Sequence, residues 1–176
     1  MKSKSFYLSI LIAISVLGCN DRGAPLPAVL DVDMKQYEGL WFEIARLPNS
    51  FEKDLKCVTT DYKLLENGGF EVINNGYNEE TKKVVMSKSK AWYENPKQKA
   101  KVEMQFENSF TGFYWIMALD SNYHYAMIGH PSRDYLWILS RSPKLDILIT
   151  TQLVKQAKKA GFETRKLQWV NQDCLN

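Results

Sequence analysis

The chain has 176 residues, 45% of them hydrophobic, which is enough for one domain with a substantial core. Its formal net charge is +3, and it falls to +1 without Lys2 and Lys4, which lie in a segment predicted to be removed. A nucleic-acid surface needs clustered positive charge, so this balance argues against that class of partner.

The first 18 residues are predicted to be a signal peptide. Lys2 and Lys4 precede an apolar run from Phe6 to Leu17, and its 12 residues are too few to span a bilayer comfortably. The run ends in VLGC (16–19), which resembles the lipobox of bacterial lipoproteins. An incidental cysteine after an ordinary secretory signal is the alternative.

The lipobox resemblance implies that the chain is cut before Cys19 and that Cys19 then carries acyl chains. The residue after it is Asn20 and not aspartate, which favours the outer membrane, with the protein facing the periplasm. Residues 19–32 are predicted to be an extended, lipid-bearing tether, because the stretch contains two prolines and a glycine. The folded domain is predicted over 33–176.

A series of strand-like segments follows a short turn that Asp33 caps and Gly39 ends. The segments are rich in β-branched and aromatic residues, and turn sequences such as ENGG (66–69) separate them. The first strand begins at Trp41, and seven more are predicted at 57–65, 70–78, 82–93, 99–106, 113–120, 123–129 and 135–141. Eight strands with no helix between them indicate an antiparallel meander, a sandwich or an up-and-down barrel.

The apolar period changes after Arg141. One amphipathic stripe is formed by Leu145, Leu148, Ile149, Leu153, Ala157 and Ala160. Gly161 is placed to end this helix, and residues 167–170 (LQWV) predict a final short strand. A helix with a single apolar stripe is expected to lie against the outside of the barrel.

Two cysteines remain after Cys19. An exported chain meets an oxidising compartment, so the even pair Cys57 and Cys174 suggests a disulfide. Two free thiols, one of them reactive, are the alternative. The two histidines, His124 and His130, have no neighbour at a metal-ligand spacing, so no metal site and no cofactor are expected.

Three motifs together resemble the lipocalin family. They are the glycine-x-tryptophan of Gly39–Trp41, the turn sequence ALDSNY with Asp120 and Tyr123, and Arg141 at the end of the eighth strand. The second motif departs from the family's threonine-aspartate-tyrosine form, but order and spacing match from about residue 33 to the C-terminus. GLWFEIARLP (39–48) and RDYLWILSRSP (133–143) are most similar to the bacterial outer-membrane subgroup, and the cysteine pair is similar to a bridge of the apolipoprotein D group.

The resemblance implies an all-β fold: an eight-stranded antiparallel up-and-down β-barrel (the calyx), with one C-terminal α-helix outside and a short final strand. It also implies that Trp41 points inward at a sealed end and that the Arg141 guanidinium stacks across its indole.

Counting in twos from Trp41 and from Arg141, with Trp115 set inward by the resemblance, predicts most of the residues that line the ligand site, and Met104 and Phe106 of the alternating fifth strand are added to them. They are Ala45, Leu47, Met104, Phe106, Phe113, Trp115, Met117, Tyr135, Trp137 and Leu139. The alternative is that these side chains fill a dry core. Glu43 falls on the same inner face, where a carboxylate needs a partner that the sequence does not identify.

The family resemblance implies a carrier that is not an enzyme. Its expected ligand is a fatty acid or lysophospholipid, held with the polar end at the mouth, and a homodimer is possible. The lysines Lys82, Lys83, Lys88 and Lys90 are either an exposed face or contacts for an anionic head group. The alternative function is a lipocalin-fold enzyme that acts on a lipid through the Cys57 thiol or Glu43.

Overall fold

The computed structural model describes residues 24–106 and 111–174, so the predicted signal peptide and Cys19 lie outside the described residues. Two helices and nine strands are described, with a 3₁₀ turn at Thr164–Lys166: α1 (Met34–Tyr37), β1 (Gly39–Arg46), β2 (Leu55–Leu64), β3 (Phe70–Asn78), β4 (Lys83–Tyr93), β5 (Lys101–Phe106), β6 (Thr111–Leu119), β7 (Tyr125–Gly129), β8 (Leu136–Ser140), α2 (Ile147–Lys159) and β9 (Gln168–Trp169). Over this part of the chain, none of the helices is long and apolar enough to cross a bilayer.

The strands form one antiparallel sheet that closes on itself. Strands β2 to β8 pair in sequence order, and β1 pairs with both β8 and β2. The short β9 pairs with Ala45 and Arg46 of β1, beyond the residues of β1 that pair with β2. The predicted eight-stranded barrel with one extra strand and one C-terminal helix is therefore confirmed.

Helix α2 covers one side of the barrel. Its buried residues are Thr150, Leu153 and Ala157, and the Asp146 carboxylate caps its first turn by accepting from the Leu148 amide at 2.7 Å. The apolar face predicted for this helix includes Leu148, and that placement is wrong because Leu148 is 71% exposed. The buried face is centred on Leu153 and Ala157, and Leu148 lies on the other side of the helix.

The chain seals the barrel where β1 begins and β8 ends, which we call the closed end. The Arg141 guanidinium lies 3.9 Å from the centroid of the fully buried Trp41 ring. The same guanidinium donates to backbone carbonyls from five residues, which are Gln36, Tyr37, Glu38, Leu40 and Tyr123. Gly39 has φ +95°, so a side chain here would be strained. The predicted stacking of Arg141 on Trp41 is present.

The predicted turn motif with Asp120 and Tyr123 stabilises the closed end of the barrel. The Asp120 carboxylate accepts from the His124 amide at 3.2 Å, and the Tyr123 hydroxyl accepts from the Asp33 amide at 2.8 Å. Because Asp33 caps α1, this contact joins the β6–β7 turn to the turn that leads into β1.

Residues 24–33 pack along the outside of the barrel. The Arg133 guanidinium donates to the Ala24 carbonyl, and the Val29 amide donates to the Ile116 carbonyl at 2.9 Å. Leu26 and Val32 are both buried. The predicted tether is therefore fixed to the domain from Ala24 onward, because its apolar side chains find sites on the barrel wall.

A disulfide joins the C-terminal segment to β2. Cys57 and Cys174 are bonded with their Cα atoms 6.0 Å apart, at a sequence separation of 117. The Cys57 amide also donates to the Asn171 carbonyl at 2.7 Å, and the Gln172 side chain donates to the Val58 carbonyl at 2.9 Å. The even cysteine pair thus forms the predicted bridge, and the alternative of two free thiols is not observed.

We expect Arg141→Lys to lower the free energy of unfolding by about 2–4 kcal/mol, because lysine keeps the charge but cannot reach five carbonyls and cover the indole. Urea unfolding measures the difference. Arg165→Lys is the matched control, since Arg165 is exposed and bonds Glu163. Equal stability of the two variants would contradict a structural role for the guanidinium over Trp41.

Candidate functional site

The end of the barrel opposite Trp41 opens into two adjoining cavities of about 130 Å³ and 280 Å³. Because β1 begins and β8 ends at the closed end, the loops 47–54, 79–82 and 130–135 lie around the open end, as far as the described residues show. Phe51 and Glu52, in the first of these loops, line both cavities. Together with Asn74 and Phe106, which also line both cavities, this loop therefore divides the calyx.

Six of the ten predicted lining residues lie in the wall of the smaller cavity: Met104, Phe106, Phe113, Tyr135, Trp137 and Leu139. The Tyr135 and Trp137 rings are stacked, with centroids 6.1 Å apart, and the Phe51 ring lies 5.8 Å from that of Tyr135. Their contact with a ligand stays a prediction.

The placement of Ala45 and Leu47 in the calyx is wrong. The register between β1 and β8 shifts between Glu43 and Ala45, which marks a β-bulge. Beyond the bulge the two faces of the strand exchange, so Ala45 and Leu47 pack in the cluster beneath α2 and Arg46 turns toward Glu43. Counting in twos fails at an unpredicted bulge.

The placement of Trp115 and Met117 in the calyx is also wrong. Tyr114 pairs with Val102, and both are buried in the barrel interior, so Trp115 points outward. There the Lys101 ammonium lies 4.2 Å from the Trp115 ring centroid. Met117 belongs to the cluster beneath α2. The sequence FYWIMAL (113–119) is apolar on both faces because α2 covers the outside, so no alternation reveals which face is inner.

Further lining residues were not predicted from the sequence. They are Glu52, Phe51, Thr60, Tyr62, Val72, Asn74, Gly112, Tyr114, Ile128 and His130. Alternation could have identified Thr60 and Tyr62, since Thr59, Asp61 and Lys63 are polar and lie on the other face of β2. Phe51 and Glu52 lie in a loop, where there is no periodicity to use.

Three tyrosine hydroxyls lie at the bottom of the calyx. The Tyr37 and Tyr114 hydroxyl oxygens are 2.6 Å apart, and the Tyr114 hydroxyl donates to that of Tyr62 at 3.1 Å. Burial raises the pKa of Tyr62 to about 12, and burial also raises the pKa values of the other two. The hydroxyls are therefore neutral and bonded to one another, which gives the cavity an uncharged bottom.

A cluster of charged residues lies above them: Glu43 and Glu52 line the smaller cavity, and Arg46, which is not a lining residue, pairs with Glu43. The Arg46 guanidinium donates to the Glu43 carboxylate at 2.7 Å and to the backbone carbonyls of Glu52 and Leu55 at 2.7 Å and 3.0 Å. The Glu52 carboxylate accepts from the Trp137 indole N–H at 3.0 Å. Arg46 is thus the partner of Glu43 that the sequence did not identify.

Two acids share one guanidinium in this cluster. Glu43 is 1% exposed, and burial, followed by the charge of Glu52, raises the pKa of its carboxyl above the ordinary value, with Arg46 opposing the shift. Burial likewise lowers the pKa of His130 at the rim, where its Nδ1 bonds the Ser132 hydroxyl at 2.7 Å. Burial therefore disfavours the charged forms of both groups, and at Glu43 the ion pair with Arg46 opposes this effect.

Lysine and arginine side chains are absent from the described walls of the two cavities. The polar side chains of these walls carry carboxyl, amide, hydroxyl, indole and imidazole groups. Over residues 24–106 and 111–174, acidic, histidine and cysteine side chains nowhere form a group that could hold a metal ion.

Comparisons with known proteins agree with this architecture. A family model described as a Lipocalin-like domain matches residues 32–172. The chain is 37% identical over 166 residues to the Outer membrane lipoprotein Blc of Citrobacter freundii, covering 93% of this chain and 94% of that protein. It is 34% identical over 157 residues to Apolipoprotein D of Mus musculus, covering 84% and 82%.

Among solved structures, insecticyanin from the tobacco hornworm Manduca sexta matches with a TM-score of 0.66 at 22% identity. The match covers 84% of this chain and 85% of that chain, and it supports the fold alone.

We expect the stability advantage of the native chain over Glu43→Gln to fall as pH rises from about 4 to about 8. The folded pKa of Glu43 is raised above 4.5, so the folded state keeps a proton that the unfolded chain releases, and this contribution is lost as pH rises. Urea unfolding across this pH range measures it, with the exposed Glu66→Gln as the control that should stay flat. An advantage that grows with pH would show that Arg46 keeps Glu43 ionised.

Proposed function

The chain belongs to the lipocalin family, and on that basis we propose that it binds and carries a fatty acid or a lysophospholipid in the calyx. The observation that carries this proposal is the pair of adjoining cavities above a closed end sealed by Trp41 and Arg141. Together the cavities reach the size of ordinary small-molecule sites, whereas the smaller one alone does not.

The acyl chain supplies most of the binding free energy in this proposal. Each buried CH₂ contributes about 0.8 kcal/mol, and the wall offers apolar side chains such as Val72, Met104 and Ile128. The polar end of the ligand lies at the mouth, because the described walls contain no cation for an anionic group. Lys53, Lys82 and Lys83 lie in or beside the loops of the open end and can meet a phosphate or carboxylate there.

The loop that divides the calyx must move for an acyl chain to occupy both cavities. Phe51 is held there by its contact with Tyr135, and Glu52 by its bond to Trp137. Ligand binding in this proposal therefore displaces Phe51 from the partition and leaves the sealed end unchanged.

The name of the Citrobacter freundii relative supports a location at the bacterial outer membrane. We propose that residues 1–18 are removed, that Cys19 is acylated, and that the domain serves storage or transport of lipids in the cell envelope from the periplasmic side. A homodimer stays a prediction.

An enzymatic role has less support. Cys57 is bonded to Cys174 and is absent from the walls of both cavities, so its thiol does not face a ligand. Glu43 does face the cavity, and a raised pKa suits a general acid. Its carboxylate, however, is bonded to Arg46, which serves to satisfy a buried charge.

We expect Met104→Trp to weaken binding of palmitic acid and of a palmitoyl lysophospholipid by at least about tenfold, since the larger ring fills the smaller cavity. Native mass spectrometry of the purified chain measures the retained ligand. Glu103→Trp is the matched control, because it places the same side chain on the outer face of the same strand and should bind as the native chain does.

Circular dichroism must show that both tryptophan variants are folded. Failure of the native chain to retain either lipid, or full retention by a folded Met104→Trp variant, would contradict binding in the calyx.

A further inference from the structure

The start of the described chain and the mouth of the calyx lie at the same end of the barrel. Arg133, in the β7–β8 loop at the open end, donates to the Ala24 carbonyl and to the Ala160 carbonyl. From Ala24 the chain runs along the outside of the barrel, past Ile116, to the closed end, where the Asp33 amide meets the Tyr123 hydroxyl. The described chain therefore begins beside the mouth.

The chain between Cys19 and Ala24 is short. Five residues span at most about 17 Å even when fully extended. The segment from Ala24 to Asp33 separates Cys19 from the closed end. Contacts of Leu26 and Val32 hold this segment to the barrel, so it cannot extend to bring the closed end nearer to Cys19. An acyl group on Cys19 would therefore bring the open end, and not the closed end, close to the bilayer.

The open end also carries an exposed apolar arm. We call Tyr77–Lys88 the β3–β4 arm; within it, Val84 is 75% exposed and Met86 is 60% exposed. Among the described residues, β5 pairs with Ser89–Tyr93, whereas Lys83–Lys88 of β4 pair with β3. The exposed Phe51 lies at the same end.

The charges of the arm suit a lipid surface of mixed or negative charge. Lys82, Lys83 and Lys88 are exposed, against two acids, Glu79 and Glu80. Glu79 is paired with Lys56, whose ammonium lies 3.0 Å from its carboxylate. The side chains that remain unpaired on the arm therefore leave a small positive excess beside the apolar residues.

We propose that the anchored protein rests on the lipid surface with the mouth of its calyx facing the bilayer and the β3–β4 arm in contact with the lipid. This inference rests on the proposed acylation of Cys19 and adds to the proposed function a route for the ligand. A lipid would then pass between bilayer and calyx directly, without crossing water as a free molecule.

Depth-dependent fluorescence quenching tests the orientation. The full, acylated chain is reconstituted in vesicles of phosphatidylethanolamine and phosphatidylglycerol that include nitroxide-labelled lipid. An environment-sensitive fluorophore is attached, without reducing the disulfide, to Glu80→Cys in the open-end loop or to Glu66→Cys in the closed-end loop. Both residues are exposed glutamates, so the two variants are matched in charge.

We expect several-fold stronger quenching of the label at position 80 than of the label at position 66. Stronger quenching at 66, or equal or negligible quenching at both, would overturn the proposal. Cys19→Ser should release both labelled proteins from the vesicles, and retention without acylation would also contradict a mouth orientation set by the anchor.

A second pair of variants tests contact by the arm. We expect Val84→Ser with Met86→Ser to reduce the quenching at position 80 at least twofold. The control is Ile147→Ser with Leu148→Ser, which removes two side chains that are each 71% exposed at the closed end and should leave the quenching unchanged. Equal effects of the two pairs would overturn contact by the arm.

Lipid retention is measured on the same labelled proteins by native mass spectrometry. A protein that shows the expected quenching but retains no lipid would overturn the proposed carrier function and leave the orientation standing. A protein that retains lipid but has its closed end quenched would overturn the orientation and leave the carrier function standing.

Discussion

The guanidinium of Arg141 over the indole of Trp41 is the contact on which the rest of the molecule depends. It joins the end of β8 to the beginning of β1 and binds the carbonyls of the turn that precedes β1, so one residue closes the barrel and seals it. A large buried ring and a cation with five donors do this together, because the ring excludes water while the donors satisfy carbonyls that would otherwise be left without partners. The cavity consequently opens at one end only.

The strands and their order along the chain could be predicted because the signals for them are local or recur, whereas the choice of a barrel over a meander or a sandwich came from the family resemblance. Turn sequences separate the strands, β5 alternates cleanly between Val102, Met104 and polar neighbours, and the period changes once, at α2. The positions counted back from Arg141 lie in the wall of the smaller cavity, since β8 pairs with β7 without irregularity from Leu136 to Ser140. The disulfide followed from an even pair of cysteines in an exported chain.

The composition of the site was harder to predict, for two physical reasons. A bulge after Glu43 exchanges the faces of β1, and nothing in the sequence GLWFEIARLP marks the extra residue. From Tyr114 to Leu119, strand β6 is buried or half-buried on both faces, so its apolar run contains no polar residues to distinguish inside from outside. The loop residues Phe51 and Glu52 reach the calyx through tertiary contacts with Tyr135 and Trp137, which no local pattern encodes.

The cluster of Glu43, Arg46 and Glu52 beside the cavity links these features. The bulge turns Arg46 toward Glu43, and the same guanidinium binds the backbone carbonyls of Glu52 and Leu55, which are the end of the dividing loop and the beginning of β2. The group that satisfies the buried carboxylate therefore also fixes the loop that separates the two cavities. A ligand that occupies both cavities must disturb contacts of Phe51 or Glu52, so its net affinity is the gain from the buried acyl chain minus the cost of those contacts. Longer acyl chains offset that cost more fully, because each added CH₂ contributes while the loop moves only once.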